Sequence, residues 1–108
     1  MVHKLIQLAM NVSFEQLKSM VVFAQVVEQG SFSAAAKQLG LTRAVVSYHI
    51  KKLESHLGMK LVNRSTRTIG LTEAGEADYE SCKIIAEQAT EAKLKIDNHK
   101  TEPEGFRQ

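Results

Sequence analysis

Residues Ser31 to Glu54, SFSAAAKQLGLTRAVVSYHIKKLE, constrain this chain more than any other stretch. An Ala-rich helix signal runs into Gly40-Leu41-Thr42, and a second amphipathic helix signal follows. Ala35 and Ala36 are small enough to let two helix backbones approach closely. Gly40 suits the left-handed position that closes a helix, which glycine adopts without steric cost. Thr42 is a natural N-cap for the next helix, with Leu41 and Val46 spaced as a hydrophobic staple. Val46, Ile50, Leu53 and Leu57 then recur at spacings of 4, 3 and 4, which predicts one buried stripe. Arg43, Ser47, Tyr48, Lys51 and Lys52 fall on the opposite face. Two helices joined by a glycine-containing turn, the second with a polar and basic outer face, make a helix-turn-helix.

An ordinary helical hairpin could share that spacing, so the distribution of charge matters. Between Ser31 and Gly70 the basic residues Lys37, Arg43, Lys51, Lys52, Lys60, Arg64 and Arg67 meet a single acid, Glu54, for a net +6. The rest of the chain carries −4, so the formal charge of the whole is only +2. Segregation of this kind suits a surface that meets phosphates. Other function classes lack their signatures. There is no Gly-rich phosphate loop and no nucleophile turn, which predicts no catalytic residues, no enzyme activity and no cofactor. His3, His49, His56 and His99 are dispersed, and the pair seven apart on one helix lacks the further ligands zinc needs, so they read as polar helix residues and no metal is expected. One cysteine, Cys82, allows no internal disulfide and fits a reducing cytoplasm. No apolar run approaches the roughly 20 residues that span a bilayer, and residues 1–10 do not read as a secretory signal.

At 108 residues the chain has room for one domain with a modest core. Residues 1–12 form an N-terminal extension with no clear element. The first secure helix begins at Ser13, which with Gln16 makes a capping box. Leu17, Met20, Val21, Ala24 and Val27 follow helical spacing, widened by Phe23 and Val26, until Gln29-Gly30 ends the helix. Beyond Gly58, residues 60–64 and 68–71 read as two short strands around Ser65-Thr66-Arg67, the hairpin or wing of a winged helix-turn-helix. The Ser, Thr and Arg of its tip suit phosphate or minor-groove contact. Thr72 caps a long helix, with Glu73 and Glu76 in its first turns where the helix dipole favours acids. Cys82, Ile85, Ala89, Ala92 and Ile96 recur at 3, 4, 3 and 4, a heptad seam. A helix over residues 73–97 is on the order of 37 Å long at 1.5 Å per residue. A domain this small cannot cover it, so the seam asks for a partner helix, most simply from a second copy. Cys82 reads as a small buried residue rather than a redox switch. Pro103 and Gly105 give the last residues the look of a hinge.

The motifs SF-x-x-AA, VS-x-x-I-x-x-LE, L-x-x-R at Leu61 and Arg64, and LTEAG from Leu71 to Gly75 are together specific. Over residues 13–107 the chain resembles the DNA-binding portion of LysR-type bacterial transcriptional regulators. The resemblance implies a mainly α fold: a winged helix-turn-helix of three helices and a short two-stranded wing over 13–72, a dimerisation linker helix over 73–98, and a hinge tail over 99–108 that leads toward a small-molecule effector domain absent here. It also implies that a recognition helix at about 43–57 enters the major groove while the wing, 64–68, lies on the backbone. Base edges would be read by Arg43, Ala44, Ser47 and Tyr48, and phosphates held by Ser33, Thr42, Lys51, Arg64, Thr66 and Arg67. The partners expected are double-stranded DNA with an inverted-repeat operator and a second copy, paired antiparallel through Cys82, Ile85, Ala89, Ala92 and Ile96. Three departures from the family pattern stand out. Tyr48 replaces a basic or Gln-like residue, Arg43-Ala44 replaces Gln-Pro or Gln-Ser, and Val62 replaces a common Phe.

Overall fold

A computed structural model describes residues 12–64 and 69–100. Four helices and one hairpin follow in order: α1 (Phe14–Gln29), α2 (Phe32–Leu39), α3 (Arg43–Leu57), β1 (Val62–Asn63), β2 (Gly70–Leu71) and α4 (Glu73–Lys100). The first three helices share a start signal. Ser13, Ser31 and Thr42 each accept from the backbone N–H three residues on, at 3.1, 2.9 and 3.1 Å. Such caps satisfy donors that a helix leaves unpaired at its first turn. Gly40 turns the chain between α2 and α3 with φ 69°, and Leu41 N–H returns to the Ala36 carbonyl at 2.9 Å. A side chain would be strained in that conformation, so the sharp turn of the motif depends on glycine here.

The core is formed where α1, α2 and α3 meet, and the beginning of α4 closes it. Val46, Ile50 and Leu53 of α3 are buried as their spacing predicts. Leu57 is not; it is exposed beside Met59, because the stripe rotates off the core at the last turn of a helix that ends at Gly58. On α1 the buried face is Ser19, Val22, Phe23, Ala24 and Val26, whereas Leu17, Met20, Val21 and Val27 are only half-buried. The buried face is thus centred further round the helix than the apolar spacing predicts, because it includes the polar Ser19. Ser19 is buried because it has a partner: its Oγ lies 3.0 Å from Nδ1 of His49 on α3, which is buried as well. A hydrogen-bonded pair removes most of the cost of burying two polar groups. His49 and His56 thus occupy different environments, the second being exposed.

Two devices place the wing. Val62 pairs with Leu71 and Asn63 with Gly70 in antiparallel register, shorter than the strands expected from sequence. The buried Glu54 carboxylate accepts from Leu61 N–H at 2.8 Å and from Val62 N–H at 3.3 Å, which pins β1 to α3. Thr72 pins the other end. Its hydroxyl donates to the Lys60 carbonyl at 2.6 Å and accepts from Gly75 N–H at 2.9 Å, while its own N–H donates to the Leu61 carbonyl at 3.0 Å. Gly75 lies directly on Leu61: a Cβ there would stand 2.1 Å from the Leu61 carbonyl oxygen. The LTEAG motif is thus a cap and a close approach of backbones.

Helix α4 runs 28 residues and ends at Lys100, two beyond the 73–98 span expected of the linker helix. Its first turns belong to the core, and Cys82 is fully buried there. Burial and the nearby Asp78 carboxylate push the Cys82 thiol up to about 12. On the same helix Tyr79 donates to a Glu28 carboxylate oxygen at 2.6 Å, which ties α4 to α1 and raises the phenol to about 12. Among the described residues no helix is long and apolar enough to cross a membrane, and no three His, Cys, Asp or Glu side chains gather as a metal site.

Three outcomes follow from this packing. Gly75→Ala should displace the start of α4 and lower stability by about 1–3 kcal/mol in denaturant unfolding, since a backbone atom must move to admit the methyl group. Glu54→Ala should cost on the order of 3 kcal/mol by leaving two backbone donors without their charged acceptor, with faster amide exchange at Leu61 and Val62 as the local signature. Stability should hold below pH about 9, the ordinary value for a thiol, and fall as pH rises from there toward 12, because the unfolded chain ionises Cys82 first. Cys82→Ala should remove the part of that fall that begins near pH 9 in thermal melts, leaving above pH 10 the part that Tyr79 contributes with the same sign.

Candidate nucleic-acid interface

The outer face of α3 is open to solvent where its inner face is sealed. Arg43, Ala44, Tyr48, Lys51 and Lys52 are exposed and Ser47 is half-buried. Arg43, Ser47 and Lys51 are spaced four apart, so they form one ridge along the helix, with Ala44 and Tyr48 beside it. Tyr48 packs edge-on against the His49 ring at 5.4 Å between centroids, so the buried histidine supports an exposed base-reading candidate. The cap at Thr42 uses its hydroxyl oxygen as an acceptor, which leaves the hydroxyl proton available at the surface. Ser33 and Lys51 are exposed at the start of α2 and midway along α3.

Arg64 is the residue whose placement the sequence did not disclose. One guanidinium nitrogen donates to Ser47 Oγ at 3.1 Å, and another lies 3.7 Å from the Glu54 carboxylate. Its guanidinium carbon stands 5.0 Å from the centre of the Phe32 ring, and that of Arg43 stands 5.9 Å from the same ring. Both distances fall within the range of cation–π attraction. Phe32, the first residue of α2, is thus shared by a cation of the recognition helix and a cation of the wing. Sequence reasoning took Glu54 for a lone acid and Phe32 for part of a motif. The signal that could have found them is the coincidence of LE, L-x-x-R and SF in one +6 segment, where the only carboxylate needs a cation and a structural donor set. Thr66 and Arg67 lie outside the described residues, as do residues 1–11 and 101–108.

The seam expected on α4 divides. Cys82 is covered by the protomer's own core and needs no partner. Ile85 is half-buried, while Ala89, Ala92 and Ile96 are exposed, Ile96 by 57 %. The apolar row therefore leaves the core after its first member. Ile84 and Leu94 add exposed apolar area on other faces of the same helix.

Known proteins share this arrangement. The family model for bacterial regulatory helix-turn-helix proteins of the lysR family matches residues 17–76. The chain is 56 % identical over 69 residues to the HTH-type transcriptional activator AaeR of Escherichia coli K12, covering 64 % of this chain and 22 % of that protein. It is 44 % identical over 90 residues to an HTH-type transcriptional regulator of Xanthomonas campestris pv. campestris, covering 83 % and 26 %. It therefore spans about a quarter of the length of such relatives. Among solved structures, the full-length virulence activator AphB of Vibrio cholerae superposes with a TM-score of 0.69 at 34 % identity, over 74 % of this chain and 28 % of that one. The CbnR_DBD–DNA complex superposes with a TM-score of 0.63 at 32 % identity, over 77 % and 95 %. These relatives are transcriptional regulators, not enzymes. With the family model matching over half its length and the winged helix-turn-helix in place, the chain belongs to the LysR family of bacterial transcriptional regulators and carries its DNA-binding domain.

Proposed function

We propose that this chain binds double-stranded DNA by sequence, with α3 in the major groove and the wing on the backbone. The observation that carries the reading is the ridge of Arg43, Ser47 and Lys51 on a helix whose other face is locked into the core. A helix held that firmly presents its side chains at fixed positions, which base readout requires. Arg43, Ala44, Ser47 and Tyr48 are the base-reading set. Arg43 suits a guanine, Ala44 a thymine methyl group, and Ser47 a hydrogen-bonding edge. Ser33, Thr42, Lys51, Thr66 and Arg67 are the phosphate set, joined by those Arg64 N–H groups that Ser47 and Glu54 leave free. The likeness to the CbnR_DBD–DNA complex supports this orientation.

Two copies pair through α4 in the same proposal. Ile85, Ala89, Ala92 and Ile96 form the seam, and the small alanines let the helices approach closely. A two-fold pair of α3 helices addresses an inverted repeat, with half-site spacing set by the paired α4 helices. The domain division follows: residues 13–72 bind DNA and 73–98 link and dimerise. In a parent protein of the relatives' length, the further residues would sense a small molecule, and the whole would work in the cytoplasm.

Binding should fall steeply with added salt on any duplex, as phosphate neutralisation releases counterions. Arg43→Ala should then cost roughly 1–3 kcal/mol on the preferred sequence and little on random DNA. Fluorescence anisotropy on both duplexes decides this, and equal losses would make Arg43 a backbone contact. Ile96→Asp should split the dimer in light scattering at micromolar concentration and reduce affinity for a full site toward that for a half site. Because Ile96 is more than half exposed in the protomer, the change spares the fold. A wild-type chain that scatters as a monomer would remove the seam from the reading.

A further inference from the structure

We propose that Arg64 is a positioning residue for sequence readout, and that by donating to Ser47 Oγ it biases Ser47 toward acting as a hydrogen-bond donor to a base edge. The inference rests on the DNA-binding reading above and adds a specificity rule to it. A serine hydroxyl has one proton to give and two lone pairs to fill, so unassisted it accepts any base edge. A guanidinium can only donate and does not lose its charge. The 3.1 Å contact from Arg64 therefore occupies a lone pair of Ser47 and leaves its proton free to donate. Among the described residues nothing accepts that proton. Accepting from a cation also strengthens the hydroxyl as a donor and weakens it as an acceptor.

Arg64 is itself held in place on three sides. Glu54 Oε1 stands 3.7 Å from its other terminal nitrogen, and the same carboxylate is anchored through Oε2 to the N–H groups of Leu61 and Val62. The Phe32 ring supports the plane of the guanidinium at 5.0 Å. With 28 % of its side chain exposed, Arg64 lies at the joint between wing and recognition helix. In the major groove guanine offers N7 and O6, adenine N7 and thymine O4 as acceptors, while cytosine offers only its amine. With one lone pair filled by a cation and its proton free, Ser47 favours an acceptor edge and disfavours cytosine at the base it faces.

The test keeps charge constant. The probes are the duplex that the wild-type chain enriches from a random library and a shuffled duplex of equal composition. Arg64→Lys retains the cation but cannot bridge Ser47, Glu54 and Phe32 together. It should lower the preference for the enriched duplex roughly fivefold, about the worth of one hydrogen bond, and leave the salt slope unchanged. Ser47→Ala should lower it by a similar factor, and the double variant should lose no more than either single one. Libraries enriched by Arg64→Lys should admit cytosine at one position per half-site where the wild type does not. Additive losses, full preference in Arg64→Lys, or equal losses on the shuffled duplex would each overturn the proposal. A DNA-free measurement separates its failure from that of the binding reading: in the free chain the Arg64 guanidinium proton resonances should shift on Ser47→Ala. Unmoved resonances refute the Arg64 contact alone, whereas a wild-type chain that enriches no sequence refutes both.

Discussion

The Glu54 carboxylate is the contact on which the DNA-facing surface depends. It is the one acid in a segment of seven cations, it is buried, and it sits on the inner flank of the recognition helix. An unpaired charge in that place would be costly, so its oxygens recruit partners. Two are backbone N–H groups at the start of the wing and the third is Arg64. The recognition helix and the wing are thereby fixed to each other by charge-assisted hydrogen bonds, beside the burial of Leu61 and Val62 in the core.

The same logic extends inward and outward from α3. Inward, His49 and Ser19 form a buried hydrogen bond between the recognition helix and α1, which fixes the rotation of α3 more sharply than apolar packing does. Outward, Phe32 brings Arg43 and Arg64 to one ring, so cations from two elements converge, and among the described residues no carboxylate pairs with Arg43. Rigidity behind and charge in front are what a DNA-reading helix needs. Each feature here comes from a different element, which is why the helix-turn-helix and the wing must fold as a unit.

Helix α4 serves two roles along its length. Gly75 permits the backbone contact with Leu61, and Tyr79 and Cys82 seat the first turns against α1 and the core. Beyond Ala86 the helix runs out past the domain, and Ala89, Ala92 and Ile96 remain exposed. A rigid extension that starts in the core transmits its direction to the recognition helix, so a partner bound on the far end would set the spacing of two reading heads.

The helix starts at Ser13 and Thr42, the turn at Gly40 and the buried stripe of α3 were legible in the sequence because they are local. Each depends on residues three or four apart, whose neighbourhood is set once a helix forms. The wing and the segregated charge were legible as well, since a run of cations must face solvent or a counter-charge. What the sequence could not carry were pairings between residues 10 to 51 apart: Glu54 with Arg64, Phe32 with Arg43 and Arg64, Ser19 with His49, and Glu28 with Tyr79. Periodicity could not show that Cys82 faces the protomer's own core while Ile96 on the same seam faces out. A helical stripe records only that a face is apolar. Which body covers it depends on where the helix lies relative to α1, and that is decided when the chain packs.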